Sequence, residues 1–226
     1  MNLALFDLDG TLLEIDSDHA FGDFMVAIGW VDAEVFRRRN DAFYDDYQAA
    51  RLDIDAYIDF ATAPWRERDE AQVLAMRGRF MREVVQPALD ERALALVRRH
   101  QAAGDRTAIV TATNEFITRP IAQAFGVAEL IAVELVRDDN RRVTGAVRGV
   151  PSFREGKVVR VEQWLAGQGL RHADFDRITC YGDSTNDLPL LEWATHPVAT
   201  NPAPALAALA RERGWPVLNL FKEQQP

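Results

Sequence analysis

Short apolar runs alternate with amphipathic stretches along most of this chain. Five runs have the length and composition of buried strands, at 2–6, 106–113, 177–183, 196–200 and 215–220. Four segments between and after them have helical spacing and end on glycine, at 90–104, 114–126, 154–169 and 201–214. Strands that alternate with helices predict a parallel sheet covered on both faces, which is a Rossmann-like, doubly wound α/β fold.

One long segment interrupts this alternation. Residues 14–88 contain four helical patterns, at 17–29, 32–52, 53–63 and 68–85, and no convincing strand. We therefore predict an α/β catalytic core formed by 1–13 and 89–226, with an inserted α-helical cap domain formed by 14–88. A smaller segment, 135–147, places Asp-Asp-Asn between two arms and predicts a β-hairpin.

Polar residues follow three of the predicted strands at the point where each strand ends. Asp7 and Asp9 follow the first strand and precede Gly10 and Thr11, Thr111 and Asn114 end the second, and Asp183 and Asp187 follow the third. Residues two apart in an extended chain point to the same side. Because the carboxyl ends of parallel strands share one edge of a sheet, we expect these side chains to meet there.

Such a cluster needs a cation. Two carboxylates about 4 Å apart repel by roughly 4 kcal/mol at an effective dielectric near 20, so a shared proton or a cation must relieve them. Mg²⁺, which prefers oxygen ligands, suits the site. Lys157, one of two lysines in the chain, lies in the first turn of its predicted helix. The helix dipole disfavours a cation there, so we expect carboxylates or a phosphate beside it. An exposed acidic turn is the competing interpretation for Asp7 and Asp9 taken by themselves.

These motifs, in this order, resemble the four-motif signature of the haloacid dehalogenase superfamily of phosphohydrolases. The matching residues are Asp7-Leu8-Asp9-Gly10-Thr11, then Thr111, then Lys157, then Gly182-Asp183-Ser184-Thr185-Asn186-Asp187. The helical segment after the first motif resembles the cap of the phosphoserine-phosphatase-like subfamily. The resemblance implies a magnesium-dependent phosphomonoesterase that forms an aspartyl-phosphate.

The resemblance also implies a role for each matching residue. Asp7 would be the nucleophile, and Asp9 would be the general acid and base. Thr111 and Lys157 would hold phosphate oxygens. The implied ligands of Mg²⁺ are Asp7, the backbone carbonyl of Asp9, Asp183 and Asp187. We expect Thr11, Asn114 and Asn186 to contribute further contacts to the substrate.

The substrate is expected to be a small phosphate ester with a cationic group. Asp16 and Asp18 follow the catalytic turn and are placed to meet an ammonium or imidazolium. Phosphoserine phosphatases use a cap arginine for the substrate carboxylate, and a loose alignment puts Asp59 near that position, although Arg51 or Arg66 could substitute. We therefore favour histidinol phosphate, with phosphoserine second. A phosphotransferase or mutase on the same scaffold and a receiver-like phospho-acceptor signalling domain are the two competing hypotheses.

The net charge and the composition argue against some classes of binding partner. The chain has 226 residues and a net charge of −9, which argues against nucleic acid and against an anionic membrane surface. No apolar run approaches the roughly 18 residues of a membrane span, and no signal peptide is apparent. Cys180 is the only cysteine, so no internal disulfide can form. We expect a cytoplasmic monomer or homodimer.

Overall fold

The order of strands and helices follows the alternation of the sequence. A computed structural model describes residues 1–49 and 51–221. The strands are β1 (Asn2–Phe6), β2 (Arg106–Asn114), β3 (Glu129–Val133), β4 (Leu135–Arg137), β5 (Val143–Val147), β6 (Arg177–Gly182), β7 (His196–Thr200) and β8 (Val217–Leu218). The α-helices are α1 (Ser17–Ala27), α2 (Ala33–Gln48), α3 (Ile54–Arg66), α4 (Glu70–Phe80), α5 (Glu91–Ala102), α6 (Glu115–Ala124), α7 (Glu155–Ala166), α8 (Leu188–Trp193) and α9 (Pro204–Arg213).

Six of the strands form one parallel sheet in the order β3-β2-β1-β6-β7-β8. The strand order runs outward from β1 to β3 on one side and from β6 to β8 on the other. Ligands of open α/β sheets bind beside the carboxyl ends of the strands at such a reversal. The predicted α/β fold is confirmed, and the ends of β1, β2 and β6 lie side by side.

Strand β3 is absent from the strands that the sequence pattern predicts. It pairs with β2 at the edge of the sheet; its apolar run is four residues long, and Glu129 and Leu130 are not buried. The predicted hairpin is present as the antiparallel pair β4–β5. Asp138 closes its turn by accepting hydrogen bonds from the backbone N–H groups of Asn140 and Arg142.

Helices α1–α4 follow β1 before the sheet resumes at β2, in the segment we call the helical insertion (residues 14–88). Each of these helices begins directly after an aspartate whose carboxylate accepts backbone N–H groups of the first turn; the four are Asp16, Asp32, Asp53 and Asp69. Helix α4 continues through a π-helical turn, Met81–Val85, and a 3₁₀ turn, Gln86–Ala88. The chain then re-enters the core beside the point where it left, because Leu13 bridges Leu89.

The buried apolar side chains of the helical insertion form one continuous cluster with those under one face of the sheet. Phe80, which is fully buried, packs edge-on against Phe21, with ring centroids 5.0 Å apart. Trp65 of α3 stacks on Phe116 of α6 at 4.4 Å. This packing holds the helical insertion over the carboxyl edge of the sheet. None of the helices in the described ranges is long and apolar enough to cross a bilayer.

Candidate active site

Three carboxylates converge at the carboxyl edge of the sheet. Asp7 extends from β1, and Asp183 and Asp187 follow β6; one oxygen of each lies within 4.8 Å of the others. The Thr11 hydroxyl lies between two of them, 3.2 Å from Asp7 Oδ2 and 3.3 Å from Asp183 Oδ1. The pairing of β1 with β6 thus brings the first and last motifs of the chain together.

Lys157 is fully buried in the first turn of α7 and neutralises part of this charge. Its Nζ donates to Asp7 Oδ1 at 2.7 Å and to Asp187 Oδ1 at 2.5 Å. Burial by itself favours the neutral amine, but the two carboxylates outweigh that effect and raise the pKa of Lys157 above its usual value. The buried lysine is therefore charged.

The single positive charge of Lys157 does not balance the charges of three carboxylates. Burial, and then the neighbouring Asp187, raise the pKa of Asp7 to about 7 despite the opposing effect of Lys157. Burial, Asp187 and Asp7 likewise raise the pKa of Asp183 well above its usual range. A divalent cation bound by these oxygens would favour the ionised forms. The all-oxygen donor set fits Mg²⁺, and Asp7, Asp183 and Asp187 are the carboxylates that could hold it.

Two glycines leave room for the carboxylates. Gly10 has φ +80°, and a Cβ there would lie 2.5 Å from Asp183 Oδ2. At Gly182 a Cβ would lie 2.7 Å from the Asp187 Cβ. Both turns therefore need glycine because the acidic side chains pack directly against the backbone.

Asp9 is not part of the three-carboxylate cluster and lines a cleft. Its Oδ1 accepts the backbone N–H of Ser17 at 2.8 Å, and its Oδ2 accepts the Thr113 hydroxyl at 2.8 Å. Burial, and then the nearby Asp16, raise the pKa of Asp9 to about 7. A carboxyl group with that pKa can both donate and accept a proton near neutral pH. Asp9 could join a metal site only through its backbone carbonyl, as the resemblance implies.

The cleft lies between the helical insertion and the edge of the sheet and encloses about 420 Å³, part of it open to solvent. Its lining combines acidic and aromatic side chains: Asp9, Asp16, Asp18, His19, Asn40, Phe43, Tyr44, Tyr47, Leu52, Ile54, Tyr57, Ala112 and Thr113. No arginine or lysine is among these lining residues of the described chain. The electrostatics of the cleft therefore favour a cationic ligand.

The two aspartates that we expected to bind substrate have different environments. Asp16 caps α1, and its Oδ1 accepts the N–H groups of Asp18 and His19 at 3.1 and 2.8 Å. Asp18 is 8% exposed, and its Oδ1 has no hydrogen-bond partner within the described chain. Burial, Asp16 and Asp9 raise the pKa of Asp18 well above its usual value, although the Tyr57 hydroxyl opposes this rise. Asp18 thus lines the cleft and has a buried carboxylate oxygen without a partner in the described chain, whereas the helix cap uses Oδ1 of Asp16.

The other residues that we expected to contact the substrate form hydrogen bonds within the protein. Asn114 caps α6 by accepting the N–H groups of Phe116 and Ile117. Asn186 is buried and donates from Nδ2 to the Tyr47 carbonyl at 3.0 Å, which links the core to the helical insertion. Thr111 is buried, and its hydroxyl accepts the Thr113 N–H at 3.1 Å. Asn114 therefore acts on local structure and does not line the cleft.

The sequence pattern did not single out the cleft residues Thr113, Tyr47 and Tyr57. Thr113 lies two positions after Thr111 on β2, and that spacing was a usable signal for a side chain at the same edge. Tyr47 and Tyr57 are aromatic positions of helices, and their pattern does not distinguish a core residue from one that faces a ligand.

The arginines that could have formed a carboxylate site lie elsewhere. Arg51 pairs with Asp46 at 2.7 Å. Arg66 pairs with Asp59 at 2.5 Å and also reaches the Thr144 carbonyl of β5. Neither arginine lines the cleft, so neither is placed to bind a substrate carboxylate there.

Comparison with known proteins identifies the family of this chain. The family model of haloacid dehalogenase-like hydrolases matches residues 4–192. The chain belongs to the haloacid dehalogenase-like hydrolase family. It is 42% identical over 218 residues to a protein of Neisseria meningitidis serogroup C (strain 8013) named histidinol-phosphatase, covering 96% of this chain and 98% of that protein. Within the family, the protein is a phosphatase.

Solved structures show the same fold. A crystal structure of a protein of unknown function from Bordetella pertussis Tohama I has a TM-score of 0.92 and 48% identity, covering 97% of this chain and 99% of that one. A substrate-bound phosphoserine phosphatase has a TM-score of 0.67 and 16% identity, covering 96% and 91% of the two chains. Membership in a hydrolase family disfavours the receiver-like hypothesis.

Proposed function

We propose that this phosphatase is a magnesium-dependent phosphomonoesterase that works through an aspartyl-phosphate and acts on histidinol phosphate. The observation that carries the chemistry is the position of Asp7. One of its oxygens is bonded to Lys157 at 2.7 Å, and the other is 3.2 Å from the Thr11 hydroxyl. An anionic nucleophile that must approach an anionic ester needs such adjacent positive charge.

In the first step, an Asp7 oxygen attacks the phosphorus atom, and the bond from phosphorus to the ester oxygen breaks. Asp9 gives its proton to the departing alkoxide. In the second step, Asp9 takes a proton from water, which attacks the phosphorus, releases inorganic phosphate and restores the Asp7 carboxylate. Lys157 and Thr111 hold phosphoryl oxygens during both transfers.

Mg²⁺, when bound, would supply positive charge that offsets the repulsion between the phosphoryl group and the carboxylates. Asp7, Asp183 and Asp187 would hold it, together with the backbone carbonyl of Asp9. The helical insertion is proposed to act as the cap, because its cleft residues exclude bulk water from Asp9. The contact between Asn186 and the Tyr47 carbonyl supports a closed position of this cap over the site.

The choice of substrate follows from the cleft and from the relative named histidinol-phosphatase. Histidinol phosphate carries an amine and an imidazole and has no carboxylate. The cleft offers Asp16 and Asp18, several aromatic rings and no basic residue in its described lining except His19. We assign the free acceptor of Asp18 to a cationic N–H group of the substrate. Phosphoserine, whose carboxylate would face these aspartates, is disfavoured.

A panel of phosphorylated metabolites tests the proposal. With Mg²⁺ present, we expect the highest kcat/KM for histidinol phosphate, a much lower value for phosphoserine, and measurable turnover of para-nitrophenyl phosphate. Asp7→Asn should abolish all three activities, whereas Asp9→Asn should slow both steps. Turnover confined to sugar phosphates or nucleotides would contradict the substrate, and near-normal activity of Asp7→Asn would contradict the nucleophile.

A second variant separates recognition from chemistry. Asp18→Asn preserves the size of the side chain but removes the carboxyl group that a cationic substrate would hold in its ionised form. We expect kcat/KM for histidinol phosphate to fall by about tenfold or more, since a charge-assisted hydrogen bond contributes roughly 1.5–3 kcal/mol. The fall for para-nitrophenyl phosphate should be much smaller because that ester has no cationic group. Equal losses for the two esters would refute the role of Asp18.

A further inference from the structure

A second, larger cleft lies between the helical insertion and the hairpin β4–β5. It encloses about 1420 Å³, part of it open to solvent. We call it the arginine groove, because six arginines line it: Arg66, Arg68, Arg77, Arg137, Arg141 and Arg142. The acidic residues of its lining are Glu67, Asp69 and Glu70, all exposed and all at or near the start of α4. In a protein with a net charge of −9, this excess of positive charge is a local feature.

Arg77 is held in a fixed position in this groove but has no acidic partner. It is half-buried on α4, and its guanidinium donates to the Phe116 carbonyl at 3.0 Å and lies over the Phe116 ring, 4.6 Å from the centroid. Among residues 1–49 and 51–221, no carboxylate lies within ion-pair distance of it. The remaining N–H groups of this guanidinium are available to a ligand.

Arg137 approaches the same space from the core side. It lies at the end of β4, where its Nη1 donates to the Arg141 carbonyl at 3.2 Å and its Nη2 forms an ion pair with Glu115 at 3.6 Å. Burial, and then the proximity of Arg137, lower the pKa of Arg77 from its usual value, so the two cations are close enough to repel. Two guanidinium groups from different elements therefore line one cleft; Arg77 has no ion-pair partner in the described chain, and Arg137 has the 3.6 Å contact with Glu115.

Arginine matches the planar, two-oxygen geometry of carboxylates and phosphates better than any other side chain. We propose that the arginine groove binds a small-molecule oxyanion, a carboxylate or a phosphate, between Arg77 and Arg137. The bound anion joins the helical insertion, through α4, to the core, through β4. Val73, Leu74 and Val143 line the same groove and suit an apolar body attached to the anion. This site is separate from the catalytic cleft and does not depend on the proposed substrate.

Titration calorimetry of the full chain with two matched probes tests the proposal: phenylphosphonate for the phosphate class and benzoate for the carboxylate class. The test variant is Arg77→Gln with Arg137→Gln. The matched control is Arg79→Gln with Arg82→Gln, which removes two charges at exposed positions outside the groove lining. Binding of phenylphosphonate at the catalytic site affects all three proteins equally, so it cancels in the comparison.

We expect saturable binding of at least one probe by the wild-type protein. The test variant should bind that probe at least tenfold more weakly, and the control should stay within about twofold of wild type. The probe that loses affinity identifies the class of the anion. Equal affinities of wild type and test variant, or no saturable binding of either probe at millimolar concentration, would overturn the proposal. Arg137→Gln, at an exposed position, serves as the test variant if the double variant fails to fold by circular dichroism.

Discussion

Replacement of Lys157 by methionine tests the electrostatic logic of the whole site. Methionine fills a similar volume but leaves Asp7 and Asp187 buried without their cation. At 2.5–2.7 Å and an effective dielectric of about 20, each contact corresponds to about 6 kcal/mol of gross attraction. Most of that attraction is offset by the desolvation of the charges in the native protein. Removal of one partner from a buried ion pair leaves a net cost of about 3–5 kcal/mol.

The measurement is urea unfolding without metal, in EDTA, followed by circular dichroism. We expect Lys157→Met to lower the free energy of unfolding by about 3–5 kcal/mol, which corresponds to roughly 6–20 °C in Tm for a chain of this size. Arg211→Met, an exposed change of the same charge, is the control and should alter stability by less than about 0.5 kcal/mol. Adding Asp187→Asn to Lys157→Met should restore part of the loss, because the second change removes a carboxylate that has lost its partner.

Addition of Mg²⁺ should also restore part of the stability of Lys157→Met, since the three carboxylates would then share a divalent cation. The reasoning is refuted if Lys157→Met costs less than about 1 kcal/mol in EDTA, or if the double variant is less stable than the single one. A loss of activity without a loss of stability would mean that Lys157 serves the substrate and not the native carboxylates.

Three further predictions concern single contacts. Thr113→Val should lower kcat for para-nitrophenyl phosphate by about tenfold because the hydrogen bond to Asp9 is lost, whereas Thr113→Ser should retain most of the activity. Gly10→Ala should shift the Mg²⁺ activation curve to higher concentration, because a Cβ 2.5 Å from Asp183 Oδ2 displaces that carboxylate; an unchanged curve would contradict the metal site. Phe80→Ala should lower the free energy of unfolding by about 3–5 kcal/mol in urea titrations. The exposed Val35→Ala should change it by less than about 0.5 kcal/mol, and similar losses for both would refute the shared core.

Local patterns were sufficient for most of the fold. Alternating apolar runs and helical spacing located β1, β2, β6, β7 and the hairpin, because strands of a parallel sheet are buried on both faces and contain few polar residues. Strand β3 was not predicted although four of its five residues are apolar, because a run of four apolar residues is too short to separate a strand from other buried segments. The aspartates that begin α1–α4 are also local signals, but their sequence does not distinguish a capping role from a catalytic or binding one.

Some residues of the candidate site could likewise be predicted from the sequence, and others could not. Asp7, Lys157, Asp183 and Asp187 could be selected from the sequence because residue type, strand ends and an unfavourable helix position all point to clustered charge. The hydrogen-bond partners of the Asp9 carboxylate could not be predicted from the sequence. Thr113 and the Ser17 N–H reach its carboxylate only because β2 lies beside β1 and α1 begins over the edge of the sheet.

The sequence by itself determined the α/β class, the helical insertion and the acidic motif that follows β1, because each depends on residues close together in the chain. Only the tertiary structure decided that Asp18 has a buried carboxylate oxygen without a partner in the described chain and that Asp16 caps a helix through Oδ1. It also decided that Arg77 and Arg137 face one groove. Hydrogen-bond satisfaction and charge neighbours depend on contacts between distant segments, and those contacts exist only once the helical insertion packs against the sheet.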